Sequence, residues 1–209
     1  MMQLAPYQCD VLQEIINIGV GRAAGMLNAM IRSHVSLRVP ELHVFLPEQV
    51  RSYLAQVQDE NLAMVRLPFS GIFQGFSALL FPSEDAVRLA NALLAGQGFT
   101  PGSGEEGEIL RREALQEVGN VVLNGVMGSL GNLLAESVEF APPEYCEERA
   151  ESMFADEAWK DTRILLARTT ITLEEHYVHG EILILFTMDS FGALLAAIDR
   201  LMPPDARLG

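Results

Sequence analysis

Only two cysteines, Cys9 and Cys146, occur among the 209 residues. Two cannot build a disulfide framework, and their separation fits no zinc-ligand spacing. A reducing compartment, the cytoplasm, is therefore the expected setting. Basic residues are scarce too: 14 Lys and Arg stand against 28 Asp and Glu, a formal net charge of -14. Such a surface repels phosphate backbones, so nucleic-acid binding is not expected. Long apolar runs are missing, and none approaches the roughly 20 residues that a membrane-spanning helix needs. Met1 to Asp10 has no cationic stretch followed by an apolar one, so no signal peptide is expected. The one Gly-rich run, Gly96 to Gly107, lacks Lys and Thr in the Walker arrangement and so makes no phosphate cradle. What is present is apolar: 49% of residues are hydrophobic and 20% charged, enough for a chain of this length to bury a real core.

The spacing of apolar residues predicts a first helix from about Asp10 to Ser33, with Asp10 as N-cap. Gly19, Gly21 and Gly25 lie inside it, each costing about 1 kcal/mol relative to Ala, so that side is expected to pack closely against a neighbour. Extended segments follow at Val35 to Val39 and Leu42 to Leu46, on either side of Pro40, and a short helix at Glu48 to Val57. Strands are predicted at Leu62 to Leu67 and Ile72 to Phe81, turning at Ser70 and Gly71, then a helix capped by Ser83 and ending near Ala95. Residues 96–107 read as a linker. Beyond it the order begins again: a long helix from Glu108 to Glu136, a short extended piece at Val138 to Phe140, and a polar helix from Glu144 to Lys160. Strands at Ile164 to Leu173 and Gly180 to Met188 and a helix from Asp189 to Leu201 complete it.

A displacement of 103 positions superimposes the two long helices. Leu12, Gln13 and Glu14 fall on Leu115, Gln116 and Glu117; Asn17 falls on Asn120, and Pro40 and Glu41 on Pro143 and Glu144. Apolar matches could be shared core positions, but packing needs no Glu or Asn. At i and i+3, Glu14 and Asn17 project from one face of a helix, as do Glu117 and Asn120, and Asp10 lies one turn before Glu14 on that face. A single Glu-x-x-Asn is short and common, and by itself describes a solvated helix face. Two copies in register, each followed 23 residues later by Pro, are a different matter. No metal site competes with them: His176 and His179 are three apart in a predicted hairpin and so face opposite ways, while His34 and His43 are isolated. Neither Cys has a recognisable His partner that would make it a nucleophile.

Asp10, Glu14, Asn17 and Pro40 stand at the spacing of the signature of the CheC, CheX and FliY chemotaxis phosphatases, which the chain resembles over nearly its whole length. Glu113, Glu117, Asn120 and Pro143 form a second copy, departing from the pattern only in Glu113, where Asp or Ser is usual. Two intact Glu–Asn pairs resemble the two-site form of CheC. The resemblance implies an α+β fold: a single domain, 1–209, of two repeats (about 1–95 and 108–202) joined by the linker. A six-stranded sheet would pack against the two long helices about a pseudo-two-fold axis.

The resemblance further implies hydrolysis of the phospho-aspartate of a response regulator such as CheY. Asn17 and Asn120 would orient the attacking water, Glu14 and Glu117 would pair with the regulator's lysine, and magnesium would arrive with the regulator rather than be bound by this chain. Site one is expected to dominate, because of Glu113. The alternative is a non-catalytic adaptor that docks on a response regulator, CheD or the flagellar switch. Switch proteins carry a related domain that has lost Glu and Asn, and this chain ends at Gly209 without a switch domain, so a stand-alone phosphatase is the expected form. Some CheC proteins bind CheD through the helix after the second Pro; here that segment is charged, which argues against a CheD surface.

Overall fold

The computed structural model describes residues 4–31, 34–57, 61–100, 102, 104–135, 137–149, 152, 160–173 and 176–201. The first repeat folds as α1 (Pro6–Ile31), β1 (Val35–Phe45), α2 (Pro47–Val57), β2 (Asn61–Gly71), β3 (Gly75–Pro82) and α3 (Ser83–Gly96). The second folds as α4 (Glu105–Leu134), β4 (Val138–Phe140), β5 (Glu144–Arg149), β6 (Thr162–Leu173), β7 (His176–Thr187) and α5 (Met188–Leu201).

All strands join one antiparallel sheet in the order β1-β6-β7-β3-β2-β4, with β5 also on β2. β4 and β5 flank the same edge of β2, at Phe69 to Gly71 and at Asn61 to Arg66, so they act as one interrupted edge strand and the sheet is six strands wide. The central pair is β3 with β7, one strand from each repeat. The outer strands are exchanged: β1 pairs with β6 of the other repeat, and β4 and β5 with β2.

Both edge strands also step by one residue in register. β1 does so between Arg38 and Glu41, around Pro40, and its counterpart does so across Ala141 to Pro143. Proline has no N–H for a ladder, so an edge strand or a bulge is where it is tolerated. The Pro40 side chain lies outside the described residues.

The sheet is covered on both faces, which is why β2 and β3 are buried along almost their whole length. Val65, Leu67, Leu79, Ile182 and Phe186 face a core shared with α1, α3, α4 and α5. Leu62, Met64, Leu80, Leu166 and Leu183 face the smaller core under Val50 and Leu54 of α2.

α1 and α4 cross in backbone contact. A Cβ on Gly19 would stand 2.6 Å from Val126 Cα, and one on Gly125 would stand 2.9 Å from the Gly19 carbonyl oxygen. Gly21 and Gly25 have open space around them, so of the three α1 glycines only Gly19 serves close packing.

Several sequence expectations are corrected. α1 starts at Pro6, not Asp10. Pro suits the first helical position, and the Gln8 side chain accepts a hydrogen bond from the Ala5 N–H at 3.0 Å, a capping arrangement that Asp10, a turn further in, cannot make. Ser83 is helical rather than a cap, and its hydroxyl donates to the Asn61 carbonyl at 2.7 Å. The β2–β3 turn is 72–74. The linker is shorter than 96–107, since α3 includes Gly96 and α4 starts at Glu105.

The polar helix expected from Glu144 is, over Glu144–Arg149, the strand β5. Tyr145 packs toward the helix-covered core and Cys146 toward the α2 side, an alternation that only a strand provides. Arg66 also pairs with Glu144, its neighbour across the two strands, at 2.5 Å. Of residues 150–160 only 152 and 160 are described, so the rest of that expected helix lies outside the described residues.

Candidate functional site

α1 and α4 lie on the outside of the larger core, each burying one face and leaving another free. Leu12, Ile15, Ile16 and Val20 are buried in α1; Leu115, Val118, Val122 and Leu123 are buried in α4. Asp10 and Glu14 are exposed and Asn17 is half-buried; Glu113 and Glu117 are exposed and Asn120 is half-buried. From Asp10 to Val20 and from Glu113 to Leu123 the burial classes run in parallel, differing only where Ile18 is exposed and Val121 half-buried. Both carboxylate–amide pairs thus sit on open helix faces beside greasy residues that point inward, and a large partner can reach all four side chains.

The surroundings of the two pairs differ. Asn17 opens onto a groove of about 710 Å³ lined by Ser36, Leu37, Arg38 and Val39 of β1 and by Thr170 and Thr172 of β6. Each repeat therefore contributes a wall to site one. The counterparts of Ser36 and Arg38 in the second repeat are Glu139 and Ala141, so the arginine that borders the first groove has an alanine as its match, and an acid replaces the serine.

On α4, Gln116 Nε2 donates to the Pro143 carbonyl at 3.3 Å, which ties the helix to the segment leading into β5. Asn124 Nδ2 donates both to the backbone carbonyl of Asn120 at 2.9 Å and to Asn120 Oδ1 at 2.7 Å. The Asn17 amide has no hydrogen-bond partner among the described residues. Sequence reasoning missed Asn124, although a polar residue one turn beyond the pair, where the first repeat has Gly21, was a readable asymmetry.

Such an arrangement can hold water and a cationic side chain of a partner, since carboxylates accept and amides both donate and accept. Among the described residues no cluster of His, Cys, Asp and Glu could hold a metal ion. No described helix is long and apolar enough to cross a membrane. Cys9 and Cys146 are half-buried and free, and burial pushes both thiols up, away from the reactive thiolate.

No family model matches the chain. Over 142 residues, 67% of the chain, it is 24% identical to the flagellar motor switch phosphatase FliY of Bacillus subtilis, and the match spans 35% of that longer protein. A CheC protein of Halobacterium salinarum, named for CheY-P phosphatase activity, is 20% identical over 144 residues, 69% of this chain and 71% of that one.

Among solved structures, Thermotoga maritima FliY matches 96% of this chain and 100% of its own with a TM-score of 0.75 at 17% identity. A chain of the FliG–FliM complex of H. pylori matches 92% of this one and 100% of its own, with a TM-score of 0.66 at 11% identity. A chain of the CheX–CheY complex of Borrelia burgdorferi matches 83% and 98%, with a TM-score of 0.50 at 16% identity. These superpositions establish the fold, and the two sequence matches carry the likeness beyond it. In sequence and in fold, the chain is similar to proteins of the CheC, CheX and FliY group.

Proposed function

We propose that this protein hydrolyses the phospho-aspartate of a response regulator of the CheY type. The observation that carries the reading is the repetition of Glu-x-x-Asn on two exposed helix faces with the same burial pattern, Glu14 with Asn17 and Glu117 with Asn120. Likeness to a protein named as a CheY-P phosphatase, to one named as a flagellar motor switch phosphatase, and to a chain from a CheX–CheY complex supports the same reading.

Phosphoryl transfer asks little covalent chemistry of a protein; positioning and charge stabilisation account for most of the catalysis. In this reading the Asn17 amide enters the regulator's site and holds a water in line with the phosphorus. A neutral amide suits this, because it donates and accepts at once and keeps its state across pH. Glu14 pairs with the regulator's active-site lysine, fixing the register of α1 on its partner. Asn120 and Glu117 repeat these roles on α4. Magnesium belongs to the regulator in this scheme, as part of the substrate. Asp10, Glu113, Pro40 and Pro143 complete the two copies of the motif around these pairs.

The test is the decay of a phosphorylated CheY with and without the protein. Acceleration that disappears in the Asn17→Ala, Asn120→Ala double variant, with folding unchanged, supports the reading. An unchanged decay rate with wild type favours a second one: an adaptor that binds a regulator or the flagellar switch without hydrolysis, to which the likeness to FliM from a FliG–FliM complex lends support. CheD as a partner rests on nothing in the described structure, since the segment expected to bind it starts as β5.

A further inference from the structure

The two sites share the same pair of residues yet differ in what holds the amide. Asn124 stands one turn after Asn120 and donates to its backbone carbonyl at 2.9 Å and to its side chain at 2.7 Å. The backbone contact settles the chemistry of the second. A carbonyl only accepts, so the Asn124 atom there is the NH2, and the Asn120 atom it also touches is an acceptor, the amide oxygen. One of the two acceptor positions on Asn120 Oδ1 is thereby used, and the side chain is drawn along its own helix. The position matching Asn124 in the first repeat is Gly21, which has no side chain and open space around it. Among the described residues Asn17 has no such restraint from the turn that follows it.

We infer that Asn124 is a latch on site two, a positioning residue that keeps the Asn120 amide turned onto its own helix and lowers the share of molecules in which it can reach a phosphoryl group. The inference rests on the phosphatase reading. A water oriented by donating to an amide oxygen keeps its lone pairs free for attack, so a restraint on that oxygen acts on the group the chemistry uses. A neutral hydrogen bond is worth on the order of 1 kcal/mol net, about a fivefold change in population. A site competent only when the latch is open loses the corresponding factor. Site one has no such restraint and turns over faster.

The experiment isolates each site with a phosphorylated CheY as substrate. In an Asn17→Ala background only site two remains; there Asn124→Ala raises kcat about fivefold and leaves KM unchanged, because docking through Glu117 is untouched. Ala favours the helix over Asn, so loss of fold is not a concern. In an Asn120→Ala background, Gly21→Asn installs the latch in site one and lowers kcat by a similar factor. A purely structural Asn124 would not produce opposite effects from the two exchanges. If Asn124→Ala lowers kcat or leaves it unchanged while wild type is active, the latch is refuted and the phosphatase reading stands. If wild type itself does not accelerate the decay, both fall together.

Discussion

Replacing Glu181 by Gln should stabilise the protein at alkaline pH and leave it unchanged at acidic pH. Glu181 lies on β7 under α2, with its side chain only 6% exposed. Tyr53 of α2 donates to its Oε1 at 3.3 Å, Arg168 of β6 approaches to 3.7 Å, and Oε2 has no partner among the described residues. Burial dominates and Glu41 of β1 adds to it, while Arg168 and Tyr53 oppose; the carboxyl is pushed up to about 7. The folded protein therefore holds a proton there that the unfolded chain, with an ordinary carboxyl near 4.5, has released.

Stability from this group is fully present below about pH 4.5 and is lost as pH rises through about 7. At about 1.4 kcal/mol for each unit of displacement, the loss comes to about 3 kcal/mol. Gln keeps the acceptor oxygen facing Tyr53 and Arg168 and carries no charge to desolvate. The unpartnered atom is common to the protonated acid and the amide, so its cost cancels. Urea denaturation from pH 4.5 to pH 8.5 should show Glu181→Gln gaining up to ~3 kcal/mol over wild type at the alkaline end and nothing at the acidic end, with a melting point about 7 °C higher at pH 8.5. Parallel pH profiles for the two proteins would refute the argument, for they would mean that water or a counter-charge already stabilises the carboxylate in the folded state.

The double variant Asn17→Ala with Asn120→Ala should return the decay of a phosphorylated CheY to its spontaneous rate while its circular dichroism and melting point match wild type, because neither side chain is buried; unfolding would reveal a structural role. Gly19→Ala should lower stability by about 1–3 kcal/mol, measured by chemical denaturation, because its Cβ meets α4 backbone that cannot yield like a side chain. Gly21→Ala should raise stability by up to about 1 kcal/mol, as a helical Gly in open space has only its backbone entropy to lose.

A feature that recurs in register is legible in a sequence without any structure. Glu14, Asn17, Glu117 and Asn120 were legible because polar residues recur in register between two apolar helices, and the structure places all four on accessible faces. The local reading failed where composition and tertiary context disagree. Glu144 to Arg149 looks helical for its charge, yet β2 offers an unpaired edge, and Tyr145 and Cys146 find cores on opposite sides of the sheet. The displacement that matches Pro40 with Pro143 also sets this segment against Leu42 to Leu46, already read as extended, so the repeat carried the answer that local propensity hid. The Glu181 cluster was invisible for another reason: Glu41, Tyr53, Arg168 and Glu181 meet only through the pairing of β1 with β6 and of β6 with β7.

That exchange of edge strands makes the two halves depend on each other, and a cleaved chain can test the point. Among the described residues β1 has no partner in its own repeat; it lies on β6. β4 and β5 lie on β2, and β3 has β7 as its inner neighbour. Residues 1–100 alone would keep the β2–β3 hairpin but leave β1 unpaired, both sheet faces partly bare, and Gly19 without the α4 backbone it packs against. Unpaired strand edges and uncovered apolar surface are what a stable domain must not expose. Each half expressed by itself should therefore lack a cooperative unfolding transition, and the two mixed should form a one-to-one complex that regains it. Site one, with Asn17 from one half and Thr170 and Thr172 from the other, would be whole only in that complex. A half that unfolds cooperatively as a monomer would overturn this view, and would make each site the property of its own repeat.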